Sequence, residues 1–119
     1  MTDTLHTAGP GVPVWCPLER GTTSFWARRF AHETLVHRAD ATLTVGPEYD
    51  VPEDVALDTI DEWMELDALP QHFEGDPQKR DVLGPGRTLA FEAIDTGAAW
   101  IVDLTGEAIT WRRGGDTQP

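Results

Sequence analysis

Cysteine is almost missing from this chain: one residue, Cys16, among 119. An internal disulfide framework is therefore excluded. Long apolar runs are missing too. Nothing approaches the roughly 18 consecutive apolar residues of a membrane span, and the polar opening MTDTLHTAGPG carries no signal-peptide core. The expected location is the cytoplasm. Positive charge is scarce: nine Lys and Arg against 21 Asp and Glu leave a formal net charge of -12. A phosphate backbone demands a basic footprint, so nucleic acid is excluded as a partner, and anionic membrane surfaces with it. What is present is ordinary for a globular protein, with 39% hydrophobic and 25% charged residues. Five Trp imply aromatic burial somewhere. The length suits one small domain or pieces of two.

Three of the nine prolines crowd, with several glycines, into residues 1 to 21, which read as extended loop with Trp15 as an anchor. Thr22 or Thr23 can cap a helix that runs to about Val45 and stops at Gly46-Pro47. A connector, GPEYDV, leads to a second helix. Pro52 suits its first turn, Glu53 and Asp54 its positive end, and Pro70 its end. Val55, Ala56, Ile60, Trp63 and Met64 recur along it at helical spacing. The stretch PQHFEGDPQKRDVLGPG, rich in Pro, Gly and charge, reads as a linker and domain boundary. From Arg87 the apolar period changes to two. RTLAFEAID, AAWIVDL and EAITWRR are short runs separated by Asp95-Thr96-Gly97 and Thr105-Gly106, the pattern of a β-meander. Leu89, Phe91 and Ala93 alternate on one face, as do Trp100, Val102 and Leu104, and that face is expected to be covered. The fold class is thus α+β: two helices followed by a three-stranded antiparallel meander. The boundaries read as a helical domain at 1–72, a linker at 73–86 and a second, partial domain at 87–119.

Chemistry is concentrated in the first helix, at HETLVHRAD. At about 100° per residue, Phe25, Trp26, Phe30, Val36 and Leu43 share a broad face, with Glu33 and His37 in its middle and Arg29 and Asp40 beside them. Ionisable groups within an apolar stripe are costly unless paired. Glu33 and His37 are four residues apart, so their side chains leave the helix on one side, one turn above the other. One oxygen and one nitrogen placed so can hold a single divalent metal ion with room for a third ligand; pairing with each other or with Arg29 is the competing reading. Asp40, one turn past His37, is placed to orient the imidazole. His32 points about 100° away from Glu33 and reads as a partly exposed helix histidine. His6 and His72 have no spacing that recruits them. Cys16 has no base or helix N-terminus beside it to activate a thiolate, and reads as inert. The acidic run Asp58, Asp61, Glu62, Glu65 and Asp67 reads as a solvated helix face.

Residues 26 to 41, WARRFAHETLVHRADA, resemble the mycothiol-dependent maleylpyruvate isomerase family of actinobacterial proteins, whose pattern there is close to W-x-R-R-x-A-H-E-T-x-x-H-R-x-D-A. The resemblance extends upstream to PVWCPLERGTTSF and downstream to DVALDTIDEWMEL, where Thr59 stands in place of a usual Gly. It continues into GRTLAFEAIDTGAAWIVDLTGEAITWRR. The resemblance implies that the two helices belong to a DinB-like four-helix bundle and the strands to a C-terminal α/β domain. It further implies that Glu33 and His37 are two of three zinc ligands, the third being a histidine on an earlier helix that nothing in this chain matches. Mycothiol would be the thiol cosubstrate and a small organic acid the substrate. The implied activity is thiol-dependent cis-trans isomerisation or thiol transfer, in a chain covering only part of both domains. Three readings stay open: an incomplete metal-dependent isomerase or transferase, a non-catalytic binding or regulatory remnant, and a fragment that completes its bundle by homodimerisation.

Overall fold

The structure, a computed structural model, describes residues 2–46 and 48–114. Among them are four α-helices, a 3-10 turn and a three-stranded antiparallel sheet, an α+β chain as the patterning predicts. It divides into two compact units, Met1–Glu62 and Trp63–Pro119.

The first unit holds α1 (Thr2–Ala8), α2 (Thr23–Thr44) and most of α3 (Glu53–Asp67). The segment expected to be all loop therefore begins as a short helix. Composition had suggested otherwise, because its prolines begin only at Pro10, after the helix has ended. Residues 12 to 23 then double back: Val14 N–H donates to Gly21 O at 3.0 Å and Thr23 N–H to Val12 O at 2.9 Å. Thr23 is buried and ties this strap to the helix, its hydroxyl donating to Gly9 O at 2.6 Å. Gly21 permits the reversal. A Cβ there would collide with Cys16 Sγ and lie 3.0 Å from Val14 O. The Cys16 thiol beneath it is buried and donates to Leu18 O at 3.2 Å. Trp15 is not a buried anchor: it is 78% exposed. Its carbonyl accepts Trp26 Nε1–H at 2.9 Å, and the two rings lie 6.3 Å apart.

Helix α2 takes extended geometry at Thr22, without a side-chain cap. It closes on Gly46, whose φ of 93 is the left-handed conformation that glycine adopts without strain. Pro47, the other half of the expected stop, lies outside the described residues, as do 115–119 of the tail. The connector is fastened by the Tyr49 hydroxyl, which donates to Leu35 O at 2.8 Å, while Arg38 sits over the Tyr49 ring.

In the second unit, the expected linker contains order of its own. Asp76 caps a one-turn helix, α4 (Pro77–Arg80), by accepting from Gln78 and Lys79 N–H, and Arg80 Nε donates to the carbonyl of buried Phe73 at 2.7 Å. The strands β1 (Thr88–Glu92), β2 (Ala99–Asp103) and β3 (Thr110–Gly114) pair in sequence order. Leu89 faces Val102, Phe91 faces Trp100, and Val102 faces Trp111. Trp100, Val102 and Leu104 are buried, and Arg113 lies 4.5 Å over the Trp100 ring. The face expected to be covered is closed only along the central strand: Leu89 and Phe91 on edge strand β1 remain exposed.

Candidate functional site: a charged relay across α2

The charged side chains of α2 form one connected relay with α3. Arg28 makes a two-pronged pair with Asp58, at 3.0 Å from Nε and 2.8 Å from Nη2. Asp58 Oδ2 stands 2.9 Å from His32 Nε2. The other imidazole nitrogen, Nδ1, lies 3.2 Å from Glu62 Oε1 with no hydrogen bond between them. Arg29 then bridges two carboxylates, pairing through Nη1 with Glu62 and through Nη2 with Glu33. Glu33 Oε1 is 3.0 Å from His37 Nε2, and His37 Nδ1 is 3.2 Å from Asp40 Oδ2.

Burial divides this relay in an order that the helical pattern did not suggest. His32 is 4% exposed and Glu62 only 1%. Glu62 is thus not part of a solvated acidic face, and His32 is not a partly exposed surface histidine. Conversely, Glu33 and His37 do not sit within a buried stripe: their side chains are 50% and 67% exposed. The physical reason lies in which residues centre the face toward α3. Phe25, Leu35, Val36 and Ala39 flank His32 at helical spacing, and His32 lies nearer their mean direction than Glu33. Leu43, counted in the same stripe, is exposed. On α3, Val55, Thr59 and Glu62 recur at i, i+4 and i+7, which carries a carboxylate inward with Thr59. That spacing was the available signal for Glu62. A buried carboxylate persists when a cation and hydrogen bonds compensate its lost hydration, and Arg29 supplies the cation here. Glu62 Oε2 is buried without a hydrogen-bond partner.

In the exposed half of the relay, ionisation is shifted. Arg29, then His37, hold the Glu33 carboxyl below its ordinary value. Asp40, then Glu33, hold the His37 imidazole above its ordinary value. Asp58 is likewise lowered, chiefly by Arg28. His37 is held through both ring nitrogens, Nδ1 by Asp40 and Nε2 by Glu33 Oε1, while Arg29 fixes the other Glu33 oxygen. One oxygen and one nitrogen thus stand side by side on the helix surface. The donor types and their separation fit two positions of a divalent cation's coordination shell. Among the described residues, no group of three or more His, Cys, Asp and Glu is placed to hold a metal ion.

The remaining sequence candidates lie elsewhere. His6 lines an open cavity of about 750 Å³ between α1 and α2, together with Leu5, Ala27, Phe30, Ala31 and Thr34. His72 is exposed in the 3-10 turn of the second unit, and Cys16 is buried against its own loop. No described helix is long and apolar enough to cross a membrane. An α+β chain with a surface Glu-His pair, steadied on both sides by charged neighbours, is the class that fold and site define. Comparison with protein-family models, with curated proteins and with solved structures finds no match.

Proposed function

We propose that this chain is the metal-holding part of a thiol-dependent isomerase or transferase of the maleylpyruvate isomerase type. Its α2 and α3 would be two helices of a DinB-like bundle, with mycothiol as the thiol and a small organic acid as the substrate. The single observation that carries the reading is the convergence of Glu33 Oε1 and His37 Nε2, 3.0 Å apart on adjacent turns of α2. When bound there, a zinc ion supplies Lewis acidity that turns a small thiol into thiolate at neutral pH. The chain's own residues do the rest. Glu33 and His37 would ligate, Arg29 orients the carboxylate, and Asp40 holds the imidazole through Nδ1, so that an ion displaces the proton at Nε2.

Calorimetric titration of the full chain with zinc tests this. Saturable binding that disappears in both Glu33→Ala and His37→Ala is expected; the same isotherm in either variant overturns the assignment. One observation favours a second reading, a metal-binding module without catalysis: the donors lie on an open helix surface, and thiolate chemistry profits from exclusion of water. Zinc binding without cis-trans isomerisation of a conjugated diacid in the presence of thiol would select it.

A further inference from the structure

We propose that the outer edge of β1 pairs with the same edge of a second copy of this chain, antiparallel about a two-fold axis at Ala90, so that the two sheets join into one. The inference concerns the second unit alone and is independent of the metal-binding reading.

The backbone supplies the first observation. Arg87 O accepts from Leu104 N–H at 3.0 Å, and Ala93 N–H donates to Ala98 O at 2.8 Å. Between them the register with β2 runs unbroken, from Thr88 opposite Asp103 to Glu92 opposite Ala99. Backbone groups alternate in direction along a strand, so Leu89 and Phe91 bond toward β2, while Thr88, Ala90 and Glu92 turn theirs outward. Strand β1 ends the sheet order, and every residue in it is exposed. Among the described residues, no backbone group answers these outward donors and acceptors.

The second observation is what this edge lacks. Exposed edges are ordinarily blunted by lysine, proline or a bulge. The sequence TLAFE has neither residue, and its ladder with β2 is regular. The opposite edge, β3, carries Arg112 and Arg113. Of the two edges, β1 is the one left open to another strand.

The third is self-complementarity, which selects a second copy as the occupant. With the axis at Ala90, that residue faces its own copy and Thr88 faces the partner's Glu92, and each of these pairs exchanges backbone bonds. Leu89 then stands opposite the partner's Phe91, in a closely spaced pair that symmetry repeats. Both side chains are half exposed and share a sheet face with Trp100 and Val102, which are buried. In the joined sheet they carry that apolar layer across the axis. Glu92, the charged residue of the strand, meets a threonine hydroxyl and not a second carboxylate. Moving the axis to Leu89 or Phe91 parts leucine from phenylalanine and sets each against its own kind or against Arg87 or Ala93.

The test is sedimentation equilibrium of the full chain over a dilution series, with amide hydrogen exchange by NMR at each end of the series. The mass is expected to rise from 13.2 kDa toward twice that value as concentration increases. The amides of Thr88, Ala90 and Glu92 should gain protection in step, while those of Leu89 and Phe91, already paired with β2, change little. Two chains of formal net charge -12 repel, so added sodium chloride should strengthen the association. Ala90→Pro removes an outward N–H at an edge position where proline is tolerated, and should stay monomeric. Phe91→Glu keeps every backbone bond, so it reads the pairing apart from folding; it should weaken association by about tenfold or more, since symmetry removes two cross-strand pairs. A monomer at every concentration would overturn the proposal. So would a dimer that leaves Thr88, Ala90 and Glu92 unprotected, or one that forms equally well in Phe91→Glu.

Discussion

Glu62→Ala is the perturbation that most sharply tests the division of the charged relay into a buried half and an exposed half. Glu62 is 1% exposed, and its carboxylate answers Arg29 and faces His32. Truncation would leave a 19%-exposed guanidinium and a 5%-exposed imidazole side chain beside a small void. Breaking one partner of a buried pair costs about 3–5 kcal/mol, because the remaining charge keeps its desolvation penalty. Arg29 retains Glu33, which places the loss near the lower figure, about 3 kcal/mol. A domain stabilised by roughly 5–15 kcal/mol would feel that strongly. The milder comparison is Asp58→Ala, whose carboxylate is 50% exposed: it loses a pair with Arg28 worth about 0–1 kcal/mol and a His32 contact worth about 1 kcal/mol. Urea unfolding followed by tryptophan fluorescence reads both. With a slope of about 1.5 kcal/mol per molar, Glu62→Ala should lower the midpoint by about 2 M and Asp58→Ala by no more than about 1.3 M. Equal midpoints for the two variants would refute the claim that the inward-facing carboxylate holds α3 to α2.

Other outcomes follow from the same geometry. The His37 ring resonances should titrate above the ordinary histidine value of about 6.5. Asp40→Asn should bring the midpoint down further than Glu33→Gln, since Asp40 is the larger cause; no change in either variant would contradict the pairing. In linkage terms, the raised His37 group stabilises the fold fully below its unfolded pKa and loses that effect as pH rises through the folded value. The lowered Glu33 group contributes above its unfolded pKa and is lost as pH falls through its folded value. The pair is therefore strongest between the two, and salt should weaken it because both groups are exposed. Zinc affinity should fall as pH drops through the His37 midpoint, because the proton and the ion compete for Nε2; a flat profile by calorimetry would exclude that nitrogen as a donor. Gly21→Ala forces a methyl against Cys16 Sγ and Val14 O, and should destabilise by about 1–3 kcal/mol in thermal unfolding.

How far the fold could be read from sequence depended on how many independent cues agreed. The strands were legible, since β-branched and aromatic residues, period-two alternation and Gly97 at a turn all pointed one way; the observed register pairs Leu89 with Val102 and Phe91 with Trp100. The spans of α2 and α3 were legible from their flanking turn residues and proline positions. The facing of α2 was not. The aromatic pattern singles out Trp26 and Phe30, but Trp26 donates its indole N–H to the Trp15 carbonyl in the preceding loop. The face toward α3 presents His32 and Arg29 instead, and Glu62 meets them from α3. Polar residues in a helix interface carry no hydrophobic signature, and only the partner helix reveals that their charges are matched. The spacing that put Glu33 and His37 on one side of α2 holds in three dimensions, since i, i+4 geometry depends on the helix alone. Whether that side is inward or outward depends on α3, which no local pattern specifies.

The central claim is that His37 Nε2 and Glu33 Oε1 together grip a cation, and imidazole nitrogen NMR during zinc titration addresses it most directly. The predicted result is a large shift confined to His37 Nε2, with Nδ1 remaining protonated toward Asp40, and complete loss of the effect in Glu33→Ala. A zinc-induced shift at His6 or His72 with His37 unmoved would contradict it.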